Sequence, residues 1–123
     1  IEIWGDGEQT RSFMYIDDCV QGIDMITHCD DLNATAINLG SDELVSINQL
    51  VDYAEDIGKV NLERNYKLDA PKGVAGRNSD NTFIQKTLDW APGTSLRAGL
   101  ELTYAWIDSQ FNARKAGEDF VND

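Results

Sequence analysis

At Ile16 the hydrophobic repeat changes from alternation to a helical period, and this switch constrains the fold more than any other feature of the chain. Upstream, Ile1 to Trp4 and Thr10 to Tyr15 are alternating, β-prone runs separated by Gly5-Asp6-Gly7. Glycine-rich turns of this kind join antiparallel strands, so the two runs are expected to form a β-hairpin. Downstream, Ile16, Cys19, Val20, Ile23 and Ile26 fall on one face of a helix. Asp17 and Asp18 stand in its first turn, where acidic groups complement the helix dipole.

The same grammar continues along the chain. Ala36 to Leu39, ending at Gly40, reads as a short apolar strand. Ser46-Ile47-Asn48-Gln49 is a capping-box pattern, because serine can accept from the backbone three residues on while glutamine reaches back. Ile47, Leu50, Val51, Ala54 and Ile57 then repeat the helical offsets, with Gly58 as a stop. Leu62 to Leu68 reads as another strand. Asp69 to Asn78, with Pro71, Gly73 and Gly76, reads as a loop. Ser79 or Asn78 would cap a short helix through Leu88, which ends before Ala91-Pro92-Gly93. Ser95 would cap the last helix, whose buried side would hold Leu96, Leu100, Thr103, Ile107 and Phe111. The expected organisation is one unit over residues 1–116 and a frayed tail over 117–123, with a β-hairpin, short strands and about four helices. The chain starts without Met in what reads as the middle of a strand, the expectation for a piece of something longer.

Composition narrows the function. At 123 residues, with 41% hydrophobic and 26% charged, the chain has the make-up of one globular domain. A formal net charge of −12 argues against a nucleic-acid surface and against anionic membranes, both of which need gathered positive charge. No apolar run approaches a transmembrane helix, and residues 1–4 lack the features of a secretion signal. Cys19 and Cys29 have no metal-ligand spacing. On one helix they would lie about 15 Å apart, too far for a bridge, so they are expected to be reduced core residues of a cytoplasmic protein. His28, the single histidine, has no second ligand or nucleophile beside it.

A complete catalytic apparatus is missing. No tyrosine has a lysine four positions later, and no GxSxG, HExxH or GxxxxGK[ST] pattern occurs. Gly73-Val74-Ala75-Gly76 lacks the third glycine of a dinucleotide fingerprint. Asp17-Asp18 and Asp30-Asp31 are adjacent in sequence, so each pair diverges and reads as caps and solvated charge. No catalytic residue, metal ligand or cofactor-binding residue is assigned.

Two segments could bind an anion. Gln9-Thr10-Arg11 follows the glycine turn, where Gly5 and Gly7 would let a ligand approach the backbone closely. Arg11 offers a planar fork of donors suited to phosphate, unless it pairs with Asp17 or Asp18. In Gly76-Arg77-Asn78-Ser79-Asp80, Arg77 stands just before a helix, whose free N–H groups and dipole favour phosphate. The alternative there is a cap with Arg77 paired to Asp80. Five of the ten basic residues (Lys59, Arg64, Lys67, Lys72 and Arg77) cluster in this stretch of an otherwise acidic chain. Together the two segments favour a diphosphate-type ligand.

These residues carry a family resemblance. Trp4-Gly5-Asp6-Gly7-Glu8-Gln9-Thr10-Arg11-Ser12-Phe13 and Tyr15-Ile16-Asp17-Asp18-Cys19-Val20 resemble the C-terminal half of extended short-chain dehydrogenase/reductase enzymes acting on nucleotide sugars. Asn38 to Ser41, Leu88 to Pro92 and Leu96 to Trp106 continue the resemblance in order, so that it covers about residues 1 to 111. Gly76-Arg77-Asn78-Ser79-Asp80-Asn81 and Gly40-Ser41-Asp42-Glu43 resemble the GDP-mannose 3,5-epimerase group. UDP-glucuronate decarboxylases share the hairpin but usually carry a Lys-Arg-Lys-Pro-Asp-like stretch in place of Gly76 to Asp80, and are the alternative, with other epimerases and dehydratases.

The resemblance implies an NAD-binding Rossmann-type α/β fold, of which this chain is an α+β-like C-terminal part. It implies an enzyme that uses tightly bound NAD to oxidise a hexose transiently, so that the ketone acidifies neighbouring C–H bonds for epimerisation. It implies that Gln9, Thr10 and Arg11 line the sugar-nucleotide site and that Arg77 holds the diphosphate of a GDP-sugar or UDP-sugar. The NAD fingerprint and the catalytic residues belong to the N-terminal portion, so these residues alone are expected to be inactive and to bind no NAD. The helix from Ile16 and the Ala36–Leu39 strand would pack on the missing sheet, and left alone should expose apolar surface and associate with a second copy as a dimer. A reading of another class is a stand-alone sugar-nucleotide binding or interaction module.

Overall fold

The computed structural model describes residues 1–115. The expected frayed tail at 117–123 lies outside them. Four short strands and four helices form in the order β1 (Glu2–Trp4), β2 (Thr10–Arg11), α1 (Ile16–Thr27), β3 (Val45–Ser46), α2 (Ile47–Gly58), β4 (Asn65–Lys67), α3 (Thr82–Leu88) and α4 (Leu96–Lys115).

The expected hairpin does not form. β1 pairs in parallel with β4, Ile3 opposite Tyr66, whereas β2 pairs antiparallel with β3, Thr10 opposite Ser46. The glycine turn is real, with Gly5 at φ +79° and Gly7 at φ +76°. Its backbone, however, is taken by distant partners. Gly5 N donates to Lys67 O at 2.8 Å, Asn48 N to Gly7 O at 3.0 Å, and Ile47 N to Gln9 O at 3.2 Å. The turn therefore hands the chain from one small sheet to the other.

Helices α1 and α2 occupy the expected spans. In α2 the capping box is complete: Gln49 N donates to Ser46 Oγ at 3.1 Å and Ser46 N to Gln49 Oε1 at 3.0 Å. Such a cap stabilises a helix by about 1 kcal/mol. Gly58 is the last helical residue, and Lys59 takes the left-handed conformation that ends the helix. Glycine at 58 answers a different need, because a Cβ there would lie 2.6 Å from Tyr104 Oη of α4.

Three further expectations need correction. Residues 36–39 form no strand among the described residues. This segment packs through side chains instead, Leu39 Cδ1 lying where a Cβ on Gly22 of α1 would come within 2.5 Å. Of Leu62–Leu68 only Asn65–Lys67 is strand, since Leu62 N is drawn aside to Glu55 Oε1 at 2.7 Å. Helix α3 starts at Thr82 with Asn81 at its N-cap position, so neither Ser79 nor Asn78 caps it; Ser79 N and Asn81 Nδ2 bond to Ser41 O at 3.1 Å and Gly40 O at 2.9 Å.

The enclosed core is small: Ile3, Leu32, Val45, Val51, Ile84 and Leu96. Of the expected buried side of α4, only Leu96 is enclosed; Leu100 is half-buried and Thr103, Ile107 and Phe111 are exposed. A helix of 20 residues extends about 30 Å. Its first half packs on α2 through Tyr104 and the Arg97–Asp56 pair, and the second half runs beyond that support. Along α1, Ile16, Val20 and Ile23 are each more than half exposed.

Ion pairs fasten α2 to its surroundings. Arg64 bonds Asp52 at 2.6 Å and also Glu55. The N–H of Leu62 and then Arg64 hold the Glu55 carboxyl below its ordinary pKa of 4.5. A carboxyl with a depressed folded-state pKa contributes stability above its ordinary value, and that stability is lost as pH falls through the folded value. The melting temperature is therefore expected to drop on acidification below 4.5, and a Glu55→Gln variant, scanned in parallel, should show a shallower acid limb.

Candidate functional site

The two segments that the sequence marks for anion binding lie 66 positions apart, Arg11 to Arg77, and the fold joins them. The loop after β4 crosses the start of β2, where Thr10 N donates to Ala75 O at 2.8 Å. Gly76 fits because a Cβ there would lie 2.5 Å from Thr10 Oγ1. Arg11 does not pair with Asp17 or Asp18. Its Nη1 donates to Thr10 O at 2.6 Å and Val74 O at 2.8 Å, and its Nη2 to Lys72 O at 3.0 Å. Asp18 instead holds the approach to α4, accepting from Gly93 N at 3.1 Å and from Thr94 N at 2.8 Å.

Arg77 follows this anchored stretch and is exposed. On its far side Asn78 Nδ2 bonds Asp42 O at 3.3 Å and Ser79 N bonds Ser41 O. Arg77 is thus bracketed by two tethers. The alternative pairing with Asp80 is not made: the Asp80 carboxylate faces Thr82, accepting from its N–H at 2.9 Å. The Thr82 side chain and then its N–H hold the Asp80 carboxyl below its ordinary pKa. Among the described residues Arg77 has no hydrogen-bond or ion-pair partner, so its donors are available. Past Asn78 opens a polar recess of about 580 Å³, whose walls include Asp42, Asn78, Asp80 and Gln85 but not Arg77, and whose charged wall residues are both acidic.

The glycine turn plays another part than expected. A Cβ at Gly5 would meet the Lys72 side chain at 2.8 Å, and one at Gly7 would meet the Asn48 amide at 2.2 Å. The close approach these glycines permit is filled by the protein itself. Lys72 also pairs with Asp6 at 3.1 Å, and Asp6 is held below its ordinary pKa first by the Glu8 N–H and then by Lys72. Gln9 donates from Nε2 to Trp4 O at 2.8 Å, while its Oε1 is enclosed without a partner.

Sequence reasoning named Lys72 in the basic stretch and Asn78 beside Arg77, and missed Asn48 as a member of this cluster, which no nearby residue signals. A second groove, about 640 Å³, lies between Phe13–Asp17 and the α4 face of Leu96 to Trp106; it is apolar and its one charged wall residue is Asp17, so it offers nothing to a phosphate. The glycine turn after β1 leads into β2 rather than into a helix N-terminus. No group of three or more metal-ligating side chains occurs among the described residues, and none of their helices is long and apolar enough to cross a membrane.

Residues 1–40 match the NAD dependent epimerase/dehydratase family. Across 115 residues the chain is 44% identical to GDP-mannose 3,5-epimerase of Arabidopsis thaliana, which takes in 94% of this chain. The chain is thus similar to a part of the epimerases of the extended short-chain dehydrogenase/reductase type. It spans about 30% of the length of the Arabidopsis relative. Solved members share the fold. A UDP-glucose 4-epimerase from Thermotoga maritima, solved with UDP-glucose, superposes with a TM-score of 0.80 at 27% identity, covering 90% of this chain and 35% of that one. A UDP-glucuronic acid 4-epimerase from Bacillus cereus, solved with NAD, gives 0.78 at 29% identity over 90% of this chain and 34% of that one. The family's Rossmann-type α/β class is thus the class of this chain, here in four helices and a few short strands.

Proposed function

We propose that this chain is the C-terminal, substrate-binding portion (residues 1–116) of an NAD-dependent nucleotide-sugar epimerase of the GDP-mannose 3,5-epimerase type. Gln9, Thr10 and Arg11 line the sugar-nucleotide site, and Arg77 holds the diphosphate. The observation that carries this reading is the unpaired, exposed Arg77 guanidinium, bracketed between two backbone tethers. A planar fork of donors at a fixed place suits two bridged phosphates. Hydride transfer and acid/base work fall to the rest of the enzyme, so the chain alone turns nothing over.

The second reading, a UDP-sugar enzyme such as a UDP-glucuronate decarboxylase, is favoured by the solved relative that holds UDP-glucose. The half-buried, unbridged Cys19 and Cys29 support a cytoplasmic setting. A second copy of the chain, forming a homodimer, would cover the exposed apolar residues of α1 and α4.

Calorimetric titration of GDP-mannose and UDP-glucuronate into the purified chain tests the proposal. Tighter binding of the GDP-sugar is expected. Preference for the UDP-sugar would move the chain to the second reading, and no binding of either would overturn its role as a substrate-binding portion.

A further inference from the structure

The apolar groove of about 640 Å³ takes no part in the sugar-nucleotide reading. One wall is the run Phe13–Asp17, and the other is the α4 face with Gly99, Thr103 and Trp106. Buried Gly99 lies against Tyr15, where a Cβ would come within 3.2 Å of Tyr15 Cβ, while Asp18 accepts from Gly93 N and Thr94 N. The two walls therefore run antiparallel, and Asp17, the one charged residue of the lining, stands toward the Ser95 end. The other end is open: Leu102 is 53% and Trp106 60% exposed.

The outer half of α4 lacks a support of its own. From Glu101 to Ser109 every residue is exposed, and so is Phe111. The last turn carries Arg114 and Lys115, the only two adjacent basic residues in a chain of net charge −12. That charge repels a second copy over most of the surface. The contact it favours is one that brings an apolar helix with a basic end to an apolar groove with an acidic end.

We infer that the groove receives the outer half of α4 from a second copy, in a twofold-symmetric pair with the two α4 helices antiparallel about Trp106. This narrows the homodimer proposed above to one surface and does not depend on which sugar nucleotide binds. Gly99 and Ala113 stand seven residues before and after Trp106, about two turns away on the same helix face. Antiparallel pairing sets Ala113 of the second copy beside Gly99, two small residues that let the backbones close. It sets Arg114 and Lys115 of the second copy level with Asp17. Because the contact is isologous, both grooves are filled and every ion pair occurs twice.

Sedimentation velocity of the full chain and its charge variants tests the pairing. The wild type is expected to sediment as a dimer. Asp17→Lys, and separately Arg114→Glu with Lys115→Glu, should each weaken dimerisation at least roughly tenfold, since like charges then meet at both ends of the contact. Asp17→Lys also lowers the net negative charge, so a merely non-specific association would strengthen instead. Combining all three substitutions should restore the dimer to within about threefold of the wild type. The three positions are exposed, so melting temperatures should stay close to that of the wild type. Trp106→Asp, at the twofold axis, should leave a monomer. A dimer that survives Trp106→Asp, or charge reversals whose losses add without rescue, would overturn this inference while leaving the homodimer itself. A monomeric wild type would overturn both, and neither result bears on the binding of GDP-mannose.

Discussion

Replacing Arg77 with alanine is expected to weaken binding of a GDP-sugar by roughly 10- to 150-fold while leaving the fold intact. Hydrogen bonds to a charged group contribute about 1.5–3 kcal/mol, and every 1.4 kcal/mol is about tenfold in affinity. The expectation of an intact fold has its own ground: Arg77 is exposed and bonds to nothing among the described residues, so its removal leaves no buried partner behind. Arg77→Lys should recover only part of the loss, because it restores charge without the two-pronged donor geometry. Calorimetry on the three proteins, with melting curves alongside, checks both halves. A loss of affinity accompanied by an equal loss of stability would point to a structural role instead.

Ile84→Ala should be the most damaging single truncation in the chain. Ile84 is 0% exposed, one of two large side chains that are fully enclosed. Isoleucine to alanine at such a position costs about 2–5 kcal/mol, and domains of this size are held by only about 5–15 kcal/mol. Helix α3 has 7 residues and follows directly on the arm that ties Asn81 to Gly40. Loosening it should release the downstream tether of Arg77 as well as lower the midpoint of urea unfolding. Ile84→Val, which removes one methylene, should cost about 0.5–1.5 kcal/mol and keep ligand affinity near normal. If the alanine variant unfolded at the wild-type midpoint, the core would have to be centred elsewhere.

Helix content was legible because its signals are local. The Ser46 capping box, the Ser95 start of α4 and the stripe from Ile16 all follow from residues a few positions apart. Strand pairing was not legible. The alternation of Ile1 to Trp4 identifies a strand but not its partner, and Lys67, not Thr10, proves to face Trp4. Alternation is likewise silent on whether Ala36–Leu39 finds a strand to join; here it packs by Leu39 on α1.

The site divides the same way. Arginine in a glycine-containing loop before a helix marked Arg77, and the fold leaves that guanidinium free. Arg11 carried the same mark, yet its donors are taken by Lys72 and Val74 carbonyls more than 60 positions away, which no nearby residue announces. Gly5 and Gly7 signalled close approach correctly, but what approaches is Lys72 and Asn48. Sequence marks a residue's chemistry, and long-range packing decides whether that chemistry is turned outward.

The most direct test of the central claim is a titration of GDP-mannose into the ¹⁵N-labelled chain, followed amide by amide. The expected shifts centre on Gly76 to Asn81 and spread to Gln9–Arg11, with Ile16–Thr27 and the outer half of α4 unmoved. Saturable shifts confined to the apolar groove around Phe13 and Trp106, with Gly76–Asn81 unchanged, would contradict it.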